Sequence, residues 1–212
     1  MTITSGWIEI LYRVATGSKK IRNVFTPIGA FFYALLIFFF VVVALQVDRL
    51  LGINDIFPRS FCITLALPVF AFALFLLGWS VLNFFRAKGT PVPFNPPPRL
   101  VTTGPYAYVR NPMLTGIFAL LFGFGMFLGS ISLLVVFTPL FILINIWELR
   151  VIEEPELIKR LGEDYIEYRK RTPMFFPGFR EVFKNKKEPI ACYFISSNFQ
   201  EATSIMKINF FV

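Results

Sequence analysis

Histidine is absent from all 212 residues. That removes the commonest metal ligand and the commonest general base near neutral pH. Cysteine is scarce too. The two residues, Cys62 and Cys192, lie far apart, so no disulfide framework is indicated and a zinc site is disfavoured. Charge is the third scarcity. Only 16% of residues are charged, against about 25% in ordinary soluble domains. No acid interrupts the middle of a long apolar run. This disfavours a transporter, whose coupling groups sit near the bilayer midplane. Any chemistry is expected to proceed without a metal and without imidazole.

What is abundant is hydrocarbon. The chain is 56% hydrophobic with a mean hydropathy of +0.65, the composition of a membrane protein. Its length suits one helical domain. Uncharged runs cover 23–47, 60–85 and 111–147. A spanning helix needs about 20 apolar residues, so the first two runs predict spans over 26–47 and 61–85. The third would reach about 55 Å as one helix. It is expected to fold back near Gly129-Ser130, as two short spans over 112–128 and 131–147. The predicted architecture is all-α and polytopic, with about four transmembrane helices. The last two form a short hairpin, and a cytoplasmic C-terminal amphipathic helix follows.

The formal charge of +8 raises nucleic acid as a partner. The basic residues flank the spans instead, as membrane topology demands, so membrane lipids are the expected surroundings and no nucleic acid is. Lys19, Lys20 and Arg22 precede the first span. Arg86, Lys88, Arg99 and Arg110 lie between the second and third. Both termini and the 86–110 loop are therefore predicted on the cytoplasmic side of a bacterial inner membrane or the endoplasmic reticulum. A secretory signal is not expected, because Met1 to Arg22 is polar and the first apolar run is too long.

Three regions are expected. Residues 1–25 form an interfacial segment in which Trp7, Ile8, Leu11, Tyr12 and Val14 alternate with Glu9 and Arg13. Residues 26–180 form the membrane domain. Residues 181–212 carry Lys184, Lys186 and Lys187 without a clear period, and read as a peripheral tail.

Chemistry concentrates in two places. The first is the turn-rich segment Gly104-Pro105-Tyr106-Ala107-Tyr108-Val109-Arg110-Asn111-Pro112. A cation held at the entrance of a membrane needs a partner or a task. Asn111-Pro112 reads as a helix start, with Asn as N-cap and Pro at the first helical position. Such a terminus offers free N–H groups and partial positive charge to an anion. Gly116, one turn further on, either packs closely against another helix or makes room for a ligand. The second place is Arg150, Glu153 and Glu154. Their spacing predicts one shared helical face unless Pro155 disturbs the turn. The plain reading is a salt-bridged cluster. The functional reading needs a ligand of both charge signs, and S-adenosylmethionine fits. Its sulfonium, ammonium and hydroxyls suit carboxylates, and its carboxylate suits an arginine or a helix N-terminus. Methyl transfer from a sulfonium mainly requires positioning, so no metal is needed. Beyond Pro155, Leu157, Leu161, Tyr165 and Tyr168 recur at helical spacing and predict an amphipathic helix.

Three segments together resemble the integral-membrane methyltransferases typified by isoprenylcysteine carboxyl methyltransferase, a family that includes phospholipid methyltransferases. They are Gly104-Pro105-Tyr106 through Val109-Arg110-Asn111-Pro112 to Gly116; Glu153-Glu154 with Leu157, Leu161-Gly162, Tyr165 and Tyr168; and Pro173 to Pro177. The proline-rich lead-in Gly89-Thr90-Pro91-Val92-Pro93 also looks like bacterial members. The resemblance covers roughly residues 75–178. It implies an S-adenosylmethionine site at the cytoplasmic side of the last two spans, closed by the C-terminal helix. It implies that Tyr106, Arg110, Asn111, Pro112, Gly116 and Glu153 hold the cofactor, and that Arg150 and Glu154 are catalytic, Arg150 orienting an anionic acceptor. The best-known members have His at the place of Asn111 and Tyr at that of Leu114, and many bacterial relatives have Arg at that of Met174. The acceptor is expected to be a lipophilic small molecule or a prenylated substrate. The alternative is a non-catalytic membrane binding or assembly protein that keeps the fold.

Overall fold

The computed structural model describes residues 3–53, 58–87, 96–97 and 99–176. Among them every regular element is helical. A short surface helix, α1 (Ile3–Ala15), leads into two long ones, α2 (Lys19–Leu50) and α3 (Arg59–Arg86). Both outgrow their apolar runs, because lysine and arginine are good helix formers and extend the ends. Pro27 and Pro68 are accommodated inside them. The tail from 181 and most of the proline-rich segment lie outside the described residues.

The third apolar run turns back where expected. Helix α4 (Pro112–Leu128) stops at Gly129, whose φ of +69° closes the helix through the left-handed conformation favoured by glycine. The returning helix is longer than its apolar run predicts. An end near Trp147 is expected; instead the helix continues to Leu161. It does so through two π-helical turns, Leu133–Phe137 and Leu149–Glu153, on either side of α5 (Thr138–Glu148). Helix α6 (Glu154–Leu161) completes it. A proline follows closely behind each π turn, Pro139 and Pro155. Proline lacks an N–H, and its ring crowds the carbonyl four residues back. A wider i→i+5 turn relieves both problems. Pro155 is therefore absorbed rather than ending the helix.

Three stretches are long and apolar enough to cross a membrane: Lys20–Leu50, Arg59–Arg86 and Leu133–Leu161. Pro112–Leu128 is apolar but shorter, because Asn111 and Gly129 bound it on either side. It is the inner partner of the bundle. Gly116 and Gly123 on α4 lie against α3; a Cβ at Gly116 would come within 2.8 Å of Leu77 Cγ, and one at Gly123 equally close to the Phe70 ring. The core centres on fully buried Phe141 of α5, which meets Phe40 of α2 edge-on at 5.3 Å and Phe118 of α4 at 6.2 Å. Most of the other described phenylalanines, Phe31, Phe38, Phe72 and Phe75 among them, face outward. That is the distribution expected of a surface in contact with lipid.

A buried carboxylate ties the hairpin to α2. Asp48 accepts hydrogen bonds from the Ser130 hydroxyl and, at 3.1 Å, from the Ser132 N–H; the Leu133 N–H donates to Ser130 Oγ. An acid from one helix thus satisfies the free donors at the N-terminus of the next. Asp48→Ala strands these donors in a dry site. It should lower stability by about 1–3 kcal/mol, read as a lower thermal midpoint in detergent, with Asp48→Asn losing less.

Candidate active site

The site is built on the segment before α4. Gly104 has φ +62°, and a Cβ there would lie 2.6 Å from the buried Asn83 side chain, so glycine is required on both counts. A 3₁₀ turn, Gly104–Ala107, then carries Tyr106 inward, where its ring meets Phe84 edge-on at 5.0 Å. The segment is fastened from the far end of the chain. The Arg110 N–H donates to Pro173 O at 2.8 Å and the Asn111 N–H to Met174 O at 3.0 Å. Tyr168, on α7 (Glu163–Arg171), donates its hydroxyl to Tyr106 O at 2.7 Å. Asn111 sits at the N-cap position, yet its side chain makes no capping hydrogen bond. Its carbonyl instead accepts from the Thr115 N–H and hydroxyl.

At the centre, Arg110 Nη1 pairs very closely with Glu154 Oε1, and both side chains are almost fully buried. The same Nη1 donates to the Tyr165 hydroxyl at 3.3 Å. Arg169 Nη1 approaches the other oxygen, Glu154 Oε2, at 3.2 Å. One carboxylate from the long returning helix is therefore shared by an arginine from the loop and an arginine from α7. A second pair on α6, Glu156 with Arg160 at 2.9 Å, also reaches the loop, because Arg160 Nη1 donates to Pro97 O at 3.5 Å. Helix α1 braces α6 from outside. Lys159 Nζ stands 2.5 Å from Glu9 Oε2 and 4.2 Å above the Tyr12 ring. The lysine, followed by Arg13, holds the Glu9 carboxyl below its usual value.

Two buried polar atoms in this cluster lack hydrogen-bond partners: Tyr106 Oη and Arg110 Nε. The Tyr106 phenol lies beside the Ser80 hydroxyl, which donates to Leu76 O at 2.7 Å. Unpaired buried donors are rare and costly, and both are suited to a polar ligand.

The structure brings Tyr106, Arg110 and Glu154 together, with Asn111 and Pro112 bordering them at the start of α4. It uses Gly116 for the approach of α3. The shared face expected of Arg150, Glu153 and Glu154 does not form. Arg150 is exposed, Glu153 is half-buried, and Glu154 is 6% exposed. Neither Arg150 nor Glu153 makes an ion pair among the described residues. The π turn over Leu149–Glu153 replaces the regular α-helical spacing on which that expectation rested. The single amphipathic helix expected beyond Pro155 is also divided, at Gly162, into α6 and α7. Tyr165 and Tyr168 could be found by their spacing. Arg169 could not, since nothing in Arg169-Lys170-Arg171 distinguishes it. Among the described residues no group of His, Cys, Asp and Glu is arranged to hold a metal ion.

Residues 61–164 match the model of the phospholipid methyltransferase family. The chain is 37% identical over 79 residues to protein-S-isoprenylcysteine O-methyltransferase of Schizosaccharomyces pombe, covering 37% of this chain and 33% of that protein. It is 36% identical over 99 residues to the nickel-cobalt-cadmium resistance protein NccN of Alcaligenes xylosoxydans xylosoxydans, covering 47% and 42% respectively. The matched segment spans less than half the length of each of these relatives. Just under half of the chain is thus similar to the phospholipid methyltransferase family, and its helical fold agrees with a membrane methyltransferase of that kind.

Burial, with the Glu154 charge adding to it, pushes the Tyr165 hydroxyl up to about 12 from an ordinary 10. A folded value above the unfolded one gives stability that is complete below pH 10 and lost as pH rises through 12. Alkaline unfolding should therefore steepen over that window, and Tyr165→Phe should flatten the curve. Circular dichroism against pH checks this.

Proposed function

We propose that the chain transfers a methyl group from S-adenosylmethionine to a lipophilic acceptor at the cytoplasmic membrane face. The observation that carries this reading is the buried Arg110–Glu154 pair with two unpartnered donors beside it, Arg110 Nε and Tyr106 Oη. The donor set fits the cofactor. Arg110 Nε and the start of α4 suit its carboxylate, the Tyr106 hydroxyl suits a ribose or amino-acid oxygen, and Glu154 suits a positive group. When bound, the cofactor supplies an electrophilic methyl on sulfonium. Tyr165 and Tyr168 stay protonated in their apolar setting, so they add no negative charge; Tyr168 donates to Tyr106 O and Tyr165 accepts from Arg110. Their rings, with α7 above the loop, exclude water from the methyl, which suppresses hydrolysis and strengthens the local electrostatics.

Glu153, half-buried beside this cluster, completes the cofactor side of the site, while Gly116 serves the packing of α4 on α3. Arg150, on the exposed side of the same π turn, orients an acceptor arriving from the lipid. An isoprenylcysteine-type carboxylate suits an arginine in that position; related lipids are the wider class. Sidedness follows from the basic residues. Helix α1 contacts α6 at the end of the bundle that carries the 104–111 loop, and Lys20, Arg22, Arg86 and Arg110 gather there, the bias of a cytoplasmic face.

Membranes containing the protein, given methyl-labelled cofactor and a lipid extract, should move label into the organic phase. Arg110→Ala and Glu154→Ala should each reduce this at least about a hundredfold, the scale on which misplaced reactants lose rate. Wild-type rates in both variants would overturn the site. Cofactor binding without any labelled product across carboxylate, amine and thiol acceptors would favour the non-catalytic alternative.

A further inference from the structure

Glu154 has two oxygens with different holders. Oε1 belongs to Arg110, which is buried and fixed through its own backbone to Pro173. Oε2 belongs to Arg169, whose side chain is 47% exposed and whose helix is also secured by Tyr165 and Tyr168. The two arginines are therefore unequal. Releasing Arg110 would strand a buried cation. Releasing Arg169 only returns a half-exposed guanidinium to water, and pairs of that kind are weak. A buried carboxylate must still keep its charge compensated. Arg110 already matches the single charge of Glu154, so Oε2 becomes an open acceptor when Arg169 leaves, and a cationic donor fits it best while an anion is repelled.

We infer that Arg169 is an internal competitor, at Glu154 Oε2, for the cationic group of the ligand that Glu154 holds. This rests on the methyl-donor reading, whose cofactor carries two cations, an α-ammonium and a sulfonium. Arg169 is thus a residue that weakens ligand binding, in contrast to Arg110, which strengthens it. A competitor of this type lowers apparent affinity by the fraction of molecules in which it holds the site.

The test is calorimetric binding of S-adenosylmethionine and S-adenosylhomocysteine to detergent-purified wild type and Arg169→Gln, with melting curves to establish folding. Arg169→Met provides a second uncharged variant that keeps the apolar stem. Removing the competitor should tighten binding by about two- to fivefold, the range set by a partly exposed ion pair. Tightening of both ligands assigns the subsite to the ammonium, which both carry. Tightening of S-adenosylmethionine alone assigns it to the sulfonium. Unchanged or weaker binding of both ligands by folded variants overturns the inference while leaving the methyl-donor reading intact. No binding by wild type or by either variant overturns both.

Discussion

A buried ion pair between Arg110 and Glu154 is the contact on which the rest of the site depends. Taking both groups out of water costs several kcal/mol per ion, and only close geometry with further hydrogen bonds offsets that. Tyr165 and Arg169 supply those further contacts. The pair joins parts of the chain 44 residues apart, with a helical hairpin between them. Its position obliges the hairpin to close, the returning helix to present Glu154 inward, and α7 to fold back over the loop. The apolar body of the protein gives no comparable direction. Hydrocarbon contacts hold Phe141, Phe40 and Phe118 together, but lipid would satisfy them nearly as well.

The two π turns are how the returning helix meets this demand. Each precedes a proline that an ordinary α-helix would not accept. Across the second, Glu154 is buried and Arg150 is exposed. Asp48 performs the corresponding task at the opposite end of the bundle, where it holds the start of the same helix against α2. The helix that carries Glu154 is consequently anchored at both ends by buried carboxylates, one on a helix N-terminus and one on arginine.

Much of this was legible in the sequence. The apolar runs predicted the helices, the unusual length of the third predicted its reversal, and Gly129 marked the turn. The pairing of a membrane-entrance arginine with an acid beyond the hairpin could be read from scarcity, since so few charges occur there. The choice of partner could not. Helical spacing favoured Arg150 for Glu154, and that rule assumes 3.6 residues per turn. A π turn removes the assumption, and no local signal other than Pro155 announces it. The break at Gly162 was likewise hidden, because Leu157, Leu161, Tyr165 and Tyr168 keep helical spacing across it. The role of Arg169 comes from tertiary folding alone.

The central claim is that Arg110 and Glu154 act as one unit, and a double-mutant cycle tests it most directly. Arg110→Met, Glu154→Gln and the double variant would be compared for S-adenosylhomocysteine affinity and for thermal stability. The account predicts strong coupling of about 1–3 kcal/mol in both readouts, the double variant losing little more than the worse single one. Additive losses, agreeing within about 0.5 kcal/mol, would show that the two residues act independently and would contradict it.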